Sequence, residues 1–164
     1  MNMSKFSVEI KWTLIFVAAS LLWILAERLA GLHDVNIESQ ATYTNFFAVI
    51  AIGIYVFALL DKKKTFYSGV MSYKQGFITG LWITLGVTLF TPITQAITHF
   101  VITPDYLKNL AAFTVQKNLM TKEMADAYFS FGSYLIQSLI FAPVVGVVTS
   151  AIVAIFTKSK APQS

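Results

Sequence analysis

Four long runs of apolar residues dominate the chain, separated by shorter polar stretches at about 33–43, 61–74 and 101–131. The runs lie at about 12–32, 44–60, 75–100 and 132–157. Each is near the ~20 residues that a helix needs to cross a bilayer. The third run, from Gly76 to His99, also carries a stripe. Gly76, Gly80, Thr84 and Thr88 fall at steps of four, and Thr91, Gln95 and Thr98 or His99 continue that face. Residues three and four apart share one face of a helix. Small side chains there let neighbouring helices approach, and Thr and Gln can hydrogen-bond across the contact. The third run is therefore expected to be the central helix. A second stripe, Ala142, Gly146, Ser150 and Ala154, marks the fourth run. The packing positions expected are Gly76, Gly80, Ala142, Gly146 and Ser150.

Between the third and fourth runs the period changes. Pro104 after Thr103 reads as a helix start. Leu107, Leu110, Ala111, Val115 and Leu119 then recur at helical spacing, interrupted by Lys108, Asn109, Gln116 and Lys117. Thr121 is a second candidate cap, although Met124 stands where a capping box would have Glu. One or two amphipathic helices over about 104–130, lying at the membrane surface, are expected. A loop is the competing reading. The stretch 33–43 reads as a short polar loop. The fold class that results is all-α: an integral membrane four-helix bundle with an amphipathic helical segment between spans 3 and 4, a single membrane domain over 1–164.

Composition supports that class. The chain is 56% hydrophobic and 12% charged, where soluble domains carry roughly 25% charged residues. So little polar surface cannot cover a soluble globule. The absence of cysteine excludes disulfides, thiolate metal sites and a cysteine nucleophile. A cleaved signal peptide competes for the first run, but that run exceeds the usual ~7–15-residue signal core and ends without a small-x-small site.

The net charge of +4 belongs to lysines beside the spans, so no nucleic-acid partner is expected. Lys5, Lys11, Lys62, Lys63, Lys64, Lys74, Lys158 and Lys160 fall on one side of a four-crossing chain. Lys108, Lys117 and Lys122 fall on the other, balanced by Asp105, Glu123 and Asp126. The positive-inside rule then puts both termini in the cytoplasm. The run from Asp61 to Lys64 is a topology signal first and an anionic-lipid contact second.

Several short patterns carry a resemblance. Met71-Ser72-Tyr73-Lys74-Gln75-Gly76-Phe77 leads into span three, Ile102-Thr103-Pro104-Asp105-Tyr106 opens the outer segment, and Gly146 to Ser150 with Ile152 and Ala154 closes span four. Together they resemble the small bacterial four-helix membrane proteins grouped as domain of unknown function 4199, over nearly the whole chain. The resemblance implies the fold and a bacterial inner membrane. It implies no activity and no catalytic residue.

Chemistry would sit where polar groups enter the spans, because such groups are costly in hydrocarbon and usually face protein or water. Glu27 and Arg28 lie near the outer end of span one, Asn45 at the start of span two, Gln95 and His99 near the outer end of span three, and Tyr134 and Gln137 in span four. Glu27, Gln95 and Gln137 each fall roughly 7–8 Å below the outer boundary at the helical rise. Glu27, Arg28, Asn45, Gln95, His99 and Gln137 form the candidate polar cluster. A structural clamp between helices is the bland reading, with Glu27 paired to Arg28 or Lys108. A ligand, ion or lipid site is the sharper one. With His33 as the sole second histidine, a metal site at His99 is weak, and no cofactor is expected.

No phosphate loop, paired-histidine metal motif or nucleophile elbow occurs, so an enzyme is not expected. The first function expected is a scaffold, accessory or regulatory subunit in the bilayer, with a protein partner or a second copy. The second is a small-solute or proton-coupled transporter acting as an oligomer, with Pro92 and Pro143 breaking spans three and four.

Overall fold

The computed structural model describes residues 3–159, with side chains from Lys5 onward; Lys160 and the tail after it lie outside the described residues. Every regular element among the described residues is helical. A 3-10 turn at Met3–Phe6 leads into α1 (Ser7–Leu29), α2 (Ile37–Thr44), α3 (Phe47–Thr65) and α4 (Tyr73–Ile97). A π-helical turn, Thr98–Ile102, extends α4; α5 (Tyr106–Gln116), α6 (Lys122–Tyr128) and α7 (Phe131–Thr157) follow.

Four helical stretches are long and apolar enough to cross a membrane: Ser7–Leu29, Ile37–Thr65, Tyr73–Ile102 and Phe131–Thr157. Their large apolar side chains point outward, Phe156 being 80% exposed and Leu89 69%. Small polar side chains such as Thr79 and Ser150 are buried instead. That distribution suits a lipid surround rather than water. The stretch at 33–43 is not simply a loop. Most of it is α2, because no Gly or Pro stands between 37 and 52 to stop a helix. Pro92 and Pro143 do not break their helices; α4 and α7 run through both. The irregular backbone of span three is the π turn beyond Pro92.

The outer segment forms two helices. α5 starts at Tyr106, with Asp105 rather than Thr103 at the cap position and no side-chain cap bond. It ends where Asn118 takes a positive φ of 56°, with Leu119 N bonding Thr114 O at 2.9 Å and Asn118 N bonding Val115 O at 3.0 Å. This bond pair is a Schellman stop. At α6 the Thr121 hydroxyl accepts from Met124 N, the capping expected.

The residues form two compact units. The first takes residues up to Val17, Val49–Leu89 and those from Phe141 on. Its core holds Leu59, Met71, Ile83 and Ala154, each fully buried. Here the two small-residue stripes meet. A Cβ added to Gly76 would lie 3.4 Å from Ala154 Cβ, one on Gly80 would lie 2.5 Å from Ser150 Oγ, and one on Gly146 would overlap Thr84. Partners rise along α4 as they fall along α7, so the helices run antiparallel in a fixed register. Thr84 Oγ1 donates to Gly80 O at 2.9 Å and Ser150 Oγ to Gly146 O at 2.6 Å, so each hydroxyl is satisfied on its own helix while filling the gap opposite a glycine. The Tyr55 hydroxyl, 2.8 Å from Thr84 Oγ1, ties α3 to the same point. Gly86, outside the expected stripe, gives α1 an equally close approach: its added Cβ would meet Thr13 Oγ1 at 2.6 Å. Span three has 33% of its most apolar window buried, against 17–22% for the other spans, as a central helix should.

Three lysines of this unit, Lys11, Lys62 and Lys63, are held by protein groups. Lys62 is 2% exposed, with Nζ 2.8 Å from Glu9 Oε1 and 4.1 Å from the Phe66 ring centroid. Lys63 donates to the carbonyl of Thr157 at 3.1 Å, at the negative end of α7. Asp61 pairs with Lys11 and accepts from Trp12 Nε1 at 2.8 Å. Within Lys62–Lys64 only Lys64 is exposed. Lys62 and Lys63 are thus held by protein groups, and Lys64 is the cation of the three that faces outward.

Replacing Gly80 by Ala should cost about 1–3 kcal/mol, since an added methyl must displace Ser150. Gly53 sits mid-helix with open space around it, so Gly53→Ala should gain about 0.5–1 kcal/mol from helix propensity. Thermal melts in detergent should move in opposite directions; a Gly80→Ala variant as stable as its parent would refute the interlock.

Candidate functional site

The second unit takes Ala18–Ala48 and Phe90–Ile140. Its centre is set by how α1 stops. Gly31 adopts φ +72°, with Leu32 N bonding Glu27 O at 3.0 Å and Gly31 N bonding Arg28 O at 2.9 Å. This is a Schellman motif, with glycine where a side chain would be strained. The chain turns back, and His33 comes to lie beside Glu27, six residues earlier.

Glu27 is 5% exposed and accepts from three donors. Trp23 Nε1 lies 2.7 Å from Oε1, Thr44 Oγ1 lies 2.5 Å from Oε1, and His33 Nε2 lies 3.2 Å from Oε2. Thr44 in turn accepts from Gln40 at 2.7 Å. An ionised carboxylate only accepts, so His33 carries its proton on Nε2 in this arrangement. The donors come from α1, α2 and the turn between them. Neither Arg28 nor Lys108 pairs with Glu27: Arg28 is exposed, and Lys108 lies 3.6 Å from Asp105.

His33 is also held from α5. Asn109 Nδ2 donates to its carbonyl at 2.9 Å, and the Tyr106 ring packs 4.5 Å from its own. Tyr106 has a second neighbour in His99, whose ring lies nearly parallel to it at 6.1 Å. Tyr134 and Phe131 meet His99 edge-on at 5.3 and 6.0 Å. The Tyr106 hydroxyl hydrogen-bonds that of Tyr134, and burial pushes the Tyr106 phenol above its ordinary range. The π turn lets Thr98 and His99, adjacent in sequence, both be buried, so the stripe continues through both residues rather than through one of them. Such single π turns are frequent at functional sites.

Three buried ring nitrogens have no partner among the described residues: His33 Nδ1 and both nitrogens of His99. Leaving such a group unpaired costs about 1–3 kcal/mol. No group of three or more metal-ligating side chains occurs among the described residues.

The structure gathers only part of the expected cluster. Glu27 and His99 join the aromatic centre through His33 and Tyr106. Gln95 bonds Ser138 at 2.8 Å, and Gln137 bonds Ser133 at 3.1 Å, so both are held away from the Glu27 network. Asn45 is exposed and bonds Ala41 O at 2.9 Å on its own helix. Equal depth placed these residues in one layer, but depth says nothing of which way each helix face points. His33, Tyr106 and Asn109 were not anticipated; the one signal for them was Gly31, a helix stop just beyond an apolar run.

A half-open polar cavity of about 120 Å³ adjoins this centre, lined by Arg28, His33, Asp34, Thr103, Asp105 and Asn109, among others.

Four helices long and apolar enough to cross a membrane, with irregular backbone and polar pairs held inside, fit a multi-pass helical membrane protein. More narrowly, the chain belongs to the family described as "Protein of unknown function (DUF4199)", which matches residues 11–159. Searches of the curated proteins and of the solved structures give no match.

Glu27→Ala should lower stability by about 2–5 kcal/mol, as expected when a buried polar hub leaves its donors unpaired. Arg28→Ala, next in sequence but exposed, should change it by no more than about 0.5 kcal/mol. Denaturation in mixed micelles measures both; equal effects would show that Glu27 does not organise the unit.

Proposed function

We propose that this protein is a non-enzymatic scaffold, accessory or regulatory subunit of a bacterial inner membrane, with both termini cytoplasmic and α5 and α6 on the outer side. The observation that carries this reading is the pairing of the intramembrane polar layer. Glu27, Gln95 and Gln137 each have protein partners, and none of them lines the neighbouring cavity. A transport path needs polar groups that can exchange partners with water or substrate; these three are each held by other side chains of the protein. The lysine asymmetry supports the orientation.

One observation favours a proton-coupled transporter instead: the unpartnered nitrogens of His99 and His33. An imidazole nitrogen without a partner can exchange a proton with water, and both rings pack against Tyr106. The two readings separate in liposomes loaded with a pH-sensitive dye. The scaffold reading expects no proton movement above protein-free vesicles, with or without candidate solutes. Flux that disappears in His99→Ala would replace it with transport. Reporter fusions after Lys158 and between α5 and α6 should report opposite compartments; one compartment for both would overturn the orientation.

A further inference from the structure

The cavity beside His33 carries both signs of charge. Arg28 supplies a guanidinium, and Asp34 and Asp105 supply carboxylates. Its inner residues His33, Thr103 and Tyr106 are 4–5% exposed, so the site has a fixed floor rather than a loose surface. Asn109 anchors that floor through its bond to the His33 carbonyl. One of the lining side chains, His33, has an unpartnered buried nitrogen, Nδ1, while its Nε2 faces Glu27. The cavity lies at the end of two spans: Arg28 is the penultimate residue of the span ending at Leu29, and Thr103 follows the span ending at Ile102. Spans of this length end at head-group level.

A simple anion would meet two carboxylates there, and a simple cation would meet Arg28. A zwitterion satisfies both signs. Guanidinium binds phosphate through paired hydrogen bonds, and a primary ammonium offers three donors to carboxylates. The volume of about 120 Å³ exceeds what a single water needs. We propose that this cavity binds a phosphate-and-primary-ammonium zwitterion, supplied as the head group of a phosphatidylethanolamine lipid. Phosphate pairs with Arg28, and the ammonium with Asp34 and Asp105. A quaternary ammonium lacks N–H donors, and a glycerol head group lacks the cation, so neither phosphatidylcholine nor phosphatidylglycerol replaces it.

Native mass spectrometry of the full chain in mild detergent tests this, with phosphatidylethanolamine, phosphatidylcholine and phosphatidylglycerol of matched acyl chains. The ethanolamine lipid should bind about tenfold or more tightly than the other two, a difference of about 1.4 kcal/mol. Arg28→Ala and the double variant Asp34→Asn with Asp105→Asn should each lose that preference, while their melts confirm folding; all three side chains are exposed. Free phosphoethanolamine should compete with the lipid. If it binds while no lipid does, the head-group chemistry stands and a soluble source replaces the lipid. Equal binding of the three lipids, or a preference that survives both variants, overturns the proposal.

Discussion

Hydrocarbon offers no hydrogen bonds, so a polar group carried into a bilayer must find its partner within the protein. That constraint organises both units of this chain. In one, Lys62 and Glu9, at 2% and 5% exposed, pair between α3 and α1. In the other, Glu27 draws donors from α1, α2 and the intervening turn. Each polar side chain thereby fixes one helix against another element at a defined place. An apolar contact in lipid fixes little by comparison, because lipid tails are as apolar as leucine.

Packing supplies the remaining specificity through absence rather than bulk. Gly80 and Gly146 sit opposite Ser150 and Thr84, whose hydroxyls turn back to their own helices. The pattern is reciprocal, glycine facing hydroxyl on each side, and it sets direction as well as distance. A slip of one turn would put glycine against glycine in one direction, or hydroxyl against hydroxyl in the other. Gly86 applies the same device against Thr13 on another face of α4. That helix is central because several of its faces admit close neighbours.

Much of this was legible in the sequence. Run length gave the four spans, and steps of four gave the α4 and α7 stripes, because both signals are local. Glu27 stood out as a carboxylate inside an apolar run. What stayed hidden depended on reversal of the chain. His33 reaches Glu27 only because Gly31 takes a left-handed conformation at the end of α1. Tyr106 and Asn109 then reach His33 from α5, more than seventy residues later in sequence. Lys62 looked like its neighbours Lys63 and Lys64, and nothing local distinguishes a buried lysine from a snorkelling one. The π turn that buries both Thr98 and His99 likewise leaves no mark in composition.

Buried polar pairs hold the helices together, and the Lys62–Glu9 pair tests this most directly. The measurement is a double-mutant cycle of unfolding free energy in mixed micelles, with Lys62→Met, Glu9→Leu and the two combined. Each single change leaves a buried charge without its partner and should cost about 3–5 kcal/mol. The double variant, with both charges replaced by apolar groups, should recover most of that loss, giving strong non-additivity. Losses that simply add would mean the two charges do not interact, and would contradict the account.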